Sequence, residues 1–136
     1  MTYGALKAWI KSYEGFDDKP YVDSVGKLTI GYGRNLEDNG ITPAEADFLF
    51  NNDLDRTIRE LQEYPWYLAA PESCQNGLIN MCFNLGITKL LTFKAMISCL
   101  IEKDYRKAAM EALNSKWAYQ VGKRAKDIAL MISDEK

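Results

Sequence analysis

The chain has 136 residues, of which 47% are hydrophobic and 26% charged, with a net charge of −2 at pH 7. That composition fits one globular domain with a real core and excludes a disordered chain. The near-neutral charge also lacks the basic excess of a protein built to grip nucleic acid, and it is less basic than a protein drawn to anionic cell walls would be. There is no histidine. Its absence removes the usual general base, the commonest metal ligand and ordinary Ser-His or Cys-His catalysis, and leaves carboxylates for proton chemistry.

In chain order, Leu6, Trp9, Ile10 and Tyr13 recur at helical spacing and predict an amphipathic helix over 3–14, stopped by Gly15. Glu14 then falls in the last turn, where an acidic side chain opposes the helix dipole and another reason for its position is worth seeking. Residues 17–34 mix β-branched and aromatic residues with turn formers. They predict a small antiparallel sheet, with strands near 20–23 and 28–32 joined by a turn through 24–26. Gly31 and Gly33 flank Tyr32 and suggest bends or close backbone approach, and 38–40 is a turn.

The rest reads as helical. Thr42-Pro43-Ala44-Glu45 combines an N-cap, a first-turn proline and a capping-box glutamate, opening a helix to about Gln62. Pro71 opens the next, an apolar run through Leu78, Ile79, Met81, Cys82, Phe83 and Leu85 to Gly86 that looks like the central core helix. Thr92 is expected to cap a helix through Leu100 and Asp104 another through Leu113, with a last helix over about 122–132. Trp9, Trp66 and Trp117 read as packing aromatics rather than sugar platforms. The fold class is α+β, mostly α-helical, with a small β lobe near the N-terminus and a larger helical lobe. Cys74, Cys82 and Cys99 are odd in number, so no disulfide framework is implied and folding in a reducing cytoplasm is the natural expectation. Cys82 reads as a small core residue.

Cleaving a glycosidic bond needs an acid beside the leaving oxygen and a carboxylate or activated water on the sugar's other side. Glu14, Asp23 and Thr29 supply those groups: two carboxyls, and a hydroxyl that both donates and accepts. From spacing alone the three read equally as a helix-end glutamate and solvated turn residues, and Asp17 and Asp18 compete with Asp23.

Tyr13-Glu14-Gly15, Tyr21-x-Asp23-x-x-Gly26 and Leu28-Thr29-Ile30-Gly31-Tyr32-Gly33 together resemble the active-site segment of phage T4-type lysozymes, glycoside hydrolase family 24. Residues 40–46 resemble the start of the helix that joins that family's two lobes. Residues 79–86 resemble its buried core helix, and Ser115-Lys116-Trp117 with 123–126 its C-terminal block. The resemblance implies a single lysozyme-like domain whose lobes flank a cleft. The β lobe is about 16–36, the helical lobe about 1–15 and 63–136, and the connecting helix about 43–62. It implies Glu14 as the catalytic acid, Asp23 as the second carboxylate and Thr29 as the residue associated with the attacking water. Arg124 matches an arginine that packs near the catalytic glutamate and, with Phe83, Asn84 and Tyr32, is a candidate substrate contact, with core packing an equal reading for Phe83. Where the family commonly has histidine this chain has Arg34, which is suited to an ion pair or to a substrate carboxyl group.

The implied reaction is hydrolysis of the β-1,4 bond between N-acetylmuramic acid and N-acetylglucosamine in bacterial peptidoglycan, as a phage endolysin. Two alternatives are a lytic transglycosylase acting on the same bond, for which Asp23 and Thr29 would be unnecessary, and a lysozyme-fold binding or scaffold module. No cofactor, metal or nucleic acid is expected, and a monomer is. The N-terminus lacks a signal-peptide pattern, and no apolar stretch reaches the roughly 18–20 residues that cross a bilayer. The expectation is therefore a protein of the host bacterial cytoplasm, without membrane insertion, that reaches the wall on lysis.

Overall fold

A computed structural model describes residues 1–134, so Glu135 and Lys136 of the expected helical lobe lie outside the described residues. The chain forms two compact units, Met1–Phe48 and Leu49–Lys136.

The first unit opens with α1 (Tyr3–Glu14), capped by Thr2, whose hydroxyl accepts from the Ala5 N–H at 3.1 Å. Gly15 stops it as expected, with its N–H bonded to the Lys11 carbonyl at 2.9 Å. Then come β1 (Asp17–Val22), β2 (Leu28–Gly31) and β3 (Arg34–Asn35), an antiparallel sheet in that order, followed by α2 (Leu36–Asn39). Thr29 faces Tyr21 on one side and Asn35 on the other, and β1 bulges between Asp17 and Tyr21. The first strand thus starts earlier than its composition suggests, because residues across the bulge still find partners on β2. β3 and α2 are too short to carry a periodic signal, so only a turn was legible where α2 ends.

This unit encloses almost no core, and Thr29 is its one buried residue. Trp9, read from the sequence as a core or lobe-packing aromatic, is not in the core: it is 52% exposed and meets Tyr13 edge-on. One helix and a sheet of short strands are too small to surround a ring of that size.

α3 (Pro43–Leu61) contains the boundary between the units. The predicted capping box forms: the Thr42 N–H donates to Glu45 Oε1 at 2.8 Å, and the Glu45 N–H donates to Thr42 Oγ1 at 3.2 Å.

The second unit is entirely helical: α4 (Pro65–Leu68), α5 (Glu72–Leu85), α6 (Ile87–Leu90), α7 (Lys94–Ile101), α8 (Tyr105–Leu113), α9 (Lys116–Val121) and α10 (Lys123–Ser133). α5 is the central element, burying Cys74, Leu78, Met81 and Cys82. It packs against α10 so closely that a Cβ at Gly77 would lie 3.0 Å from the Ile128 carbonyl and from Ile132 Cγ1. α8 packs against α10; the buried residues of α8 are all alanines (Ala108, Ala109, Ala112), and α10 buries Ala125 and Ala129 beside Ile128 and Ile132. Trp66 and Trp117 are buried, as expected. Asp104 caps α8 as predicted, accepting from the Lys107 N–H at 3.1 Å. Thr92 does not cap α7: its hydroxyl donates to the Lys89 carbonyl at 2.6 Å, closing α6, and α7 begins after Phe93. Among the described residues no helix is long and apolar enough to cross a membrane.

All three cysteines are free and buried. Burial pushes the Cys74 thiol up to about 12 and the Cys82 thiol up to about 11, and raises Cys99 as well. Because the thiolate is the reactive form, the native protein should give almost no fast reaction with Ellman's reagent at pH 8. In guanidinium it should give three equivalents, one for each free cysteine. A full equivalent released rapidly without denaturant would contradict this packing.

Candidate active site

The candidate residues of the first unit are set by a hairpin and by the end of one helix. Between β1 and β2 the chain turns through Ser24-Val25-Gly26, and Asp23 organises that turn. Its Oδ1 accepts the Val25 N–H at 3.0 Å and the Lys27 N–H at 2.8 Å, while its own N–H donates to the Lys27 carbonyl at 2.9 Å. Oδ2 carries no hydrogen bond among the described residues. One oxygen of Asp23 therefore builds the loop, while the other is not used in it.

Thr29, one strand residue beyond Leu28, is 3% exposed, and its hydroxyl donates to the Lys27 carbonyl at 2.8 Å. A carbonyl cannot donate, so the hydroxyl proton is committed and only the oxygen's lone pairs remain. Toward a water molecule Thr29 is an acceptor.

Glu14 is the last residue of α1. Its carboxyl lies over the backbone of Gly33: a Cβ built there would collide with Oε2 and sit 3.1 Å from Cδ. The helix end thus delivers one carboxyl to the turn that follows the strand of Thr29. Tyr32, between the two glycines, is half exposed, with its ring 5.3 Å from that of Phe16 and the Lys11 ammonium 4.7 Å above it. Phe16 was not singled out from the sequence. Its only signal there was an aromatic residue directly after the Glu14-Gly15 pair.

Arg34 takes the ion-pair role. Its guanidinium grips Glu45 with both terminal nitrogens, Nη1 at 2.9 Å from Oε1, and Nη1 also donates to the Gly40 carbonyl at 3.0 Å. The hydrogen bond from Arg34, with those from Thr42, holds the Glu45 carboxyl down at about 2.

The candidates of the second unit form their own group. Phe83 is half-buried, its ring 5.3 Å from that of Phe50, and both line a pocket of about 320 Å³ with Leu54, Asn76, Ile79, Asn80 and Arg124. Arg124 donates from Nε to Asn80 Oδ1 at 3.0 Å. Asn80 was missed in the sequence, although it and Asn84 are the two amides that interrupt the apolar run. Asn84 Oδ1 accepts the Trp117 indole N–H at 2.8 Å, so this candidate substrate contact already satisfies a buried donor. Among the described residues no group of three or more Cys, Asp or Glu side chains could hold a metal ion.

Residues 11–131 match the sequence pattern of the phage lysozyme family. The chain belongs to that family. It is 27% identical to "Probable T4-type lysozyme 1" of Dictyostelium discoideum, over 94% of this chain and 93% of that protein. It is 31% identical to the "SAR-endolysin" of Bacteriophage PS34, over 85% of this chain and 69% of that protein. The "Pre-baseplate central spike protein Gp5" of Enterobacteria phage T4 is 30% identical over 94% of this chain, which spans 27% of that longer protein. This phage lysozyme is accordingly a lysozyme-type peptidoglycan hydrolase on an α+β, lysozyme-like fold.

Two outcomes follow for the lysozyme's stability. Glu45 titrates near 2 when folded and near 4.5 otherwise, so its contribution is complete above the higher value and is lost as pH falls toward the lower one. Glu45→Gln should therefore melt below wild type at pH 6 and converge with it near pH 2, with a gap that narrows in high salt because the pair is solvent-exposed. Parallel melting curves across that range would contradict the pairing. Asn84→Ala strands the Trp117 N–H and should cost about 1–3 kcal/mol in urea unfolding.

Proposed function

We propose that this lysozyme is a muramidase, hydrolysing the β-1,4 bond between N-acetylmuramic acid and N-acetylglucosamine, with Glu14 as general acid, Asp23 as base and Thr29 as the residue that orients the water. What carries the reading is that one unit holds all three, with the Glu14 carboxyl against Gly33 and the Thr29 hydroxyl confined to accepting. Glu14 gives its proton to the leaving glycosidic oxygen as the bond from the anomeric carbon to that oxygen breaks. A water directs one hydrogen to Thr29 Oγ1 and the other to Asp23 Oδ2, and its oxygen bonds the anomeric carbon from the opposite face. The water's proton passes to Asp23. Direct attack by water inverts the anomeric centre.

Tyr32, Phe83, Asn84 and Arg124 are proposed as substrate contacts. Lys11 above Tyr32 and Asn80 against Arg124 limit the positions those side chains adopt. We also propose that the protein works as a monomeric phage endolysin, made in the host cytoplasm and reaching the wall on lysis. The support for this role is the similarity to proteins named endolysin.

Purified sacculi are the substrate for the test. Wild type should clear them and release muropeptides with new reducing ends. Glu14→Gln should lose at least about 100-fold in rate, the scale of a general acid's contribution. Asp23→Asn keeps an Oδ1 acceptor for the loop, so it should stay folded and lose comparable activity. Anhydro-sugar products would replace hydrolysis with the transglycosylase reaction, and sacculus binding without cleavage by wild type would make the protein a binding module.

A further inference from the structure

We infer that Gly33 is a positioning residue for the catalytic acid, one that works by lacking a side chain. The inference rests on the reading of Glu14 as that acid. Gly31 and Gly33 stand either side of Tyr32 with nearly the same backbone, φ +69° and +74°. Both therefore disfavour an L side chain for the same conformational reason. Their surroundings differ. A Cβ at Gly31 meets no heavy atom within 4 Å, whereas one at Gly33 collides with Glu14 Oε2 and lies 3.1 Å from its Cδ and 3.7 Å from its Cγ.

What a side chain at residue 33 would strike is the far end of a flexible carboxylate and not packed backbone. Glu14 is exposed, and it is the last helical residue of α1, with no core behind it. The collision is relieved by swinging the carboxyl away, which leaves the sheet and helix in place. Substitution at 33 thus separates two effects that usually travel together. The cost in folding is the left-handed strain common to both glycines. The cost in catalysis belongs to position 33 alone, because there the proton donor loses its place. The sugar's other contacts are untouched, so the loss falls on kcat and not on KM.

The experiment measures melting temperature, kcat and KM on solubilised glycan strands for wild type, Gly31→Ala, Gly33→Ala, Glu14→Gln and the double variant Gly33→Ala with Glu14→Gln. The two alanine variants should melt at similarly lowered temperatures. Gly31→Ala should keep kcat within a few fold, and Gly33→Ala should lose about 100-fold with KM unchanged, the scale of displacing a reacting group by about 1 Å. In the Glu14→Gln background the alanine at 33 should cost nothing further, since the group it displaces is already inert. Should Gly33→Ala fail to fold, Gly33→Asn carries the same Cβ on a residue that tolerates the left-handed region, and the same losses are expected. Wild-type kcat in a folded residue-33 variant, with Glu14→Gln inactive, overturns the positioning role alone. Equal kcat losses at 31 and 33 overturn it as well, by making the effect one of backbone distortion. Wild-type kcat in Glu14→Gln overturns the reading of the acid itself, and the positioning role with it.

Discussion

Where the Glu14 carboxyl rests, the backbone of the β2–β3 turn has no side chain to spare. The rest of the first unit is arranged around that constraint. α1 ends at Gly15, whose N–H bonds the Lys11 carbonyl, so the chain leaves the helix directly after Glu14 and enters β1. The turn has to stay fixed as well, and its outgoing strand is tied down at once by Arg34, whose guanidinium spans Glu45 and the Gly40 carbonyl. Glu45 is in turn locked into the capping box that starts α3. An ion pair in place of a histidine thus anchors the segment beside the proposed acid, on a unit with too little apolar core to do so by packing.

The two units hold their shape by different physics. In the first, a bidentate ion pair, an aspartate that builds its own loop and a threonine bonded to a backbone carbonyl define the structure, and Thr29 alone is buried. Such a unit is held where its hydrogen bonds converge. The second unit gets its order from close packing: α5 against α10, where a methyl at Gly77 would press on its neighbours at 3.0 Å, and α8, whose buried residues are all alanine, against α10. Polar groups there serve packed rings and cations, Asn84 for Trp117 and Asn80 for Arg124.

The long elements were legible because their signals are redundant. Apolar spacing and a following glycine mark α1 and α5, an N-cap, proline and capping box mark α3, and Asp104 announces α8. The short ones were not. α4, α6 and α9 each contain fewer than seven residues, less than two turns, so no periodicity accumulates before they end. Thr92 misled because a threonine after a helix bonds backwards as readily as forwards. Trp9 misled because a helical apolar stripe says which side is apolar but not whether anything in its own unit covers it. At the candidate site the identities of Glu14, Asp23 and Thr29 were readable. The commitment of one Asp23 oxygen, the single remaining role of the Thr29 hydroxyl and the tenancy of Gly33's empty side-chain position were not, since each depends on distances across the hairpin.

The most direct measurement is a crystal structure of the Glu14→Gln protein with a bound muramyl oligosaccharide. The account predicts the residue-14 side chain still lying over Gly33 and donating to the glycosidic oxygen, with an ordered water between Asp23 Oδ2 and Thr29 Oγ1 on the far side of the sugar. A sugar bound away from the hairpin, or residue 14 turned off Gly33 with no water held by Asp23 and Thr29, would contradict it.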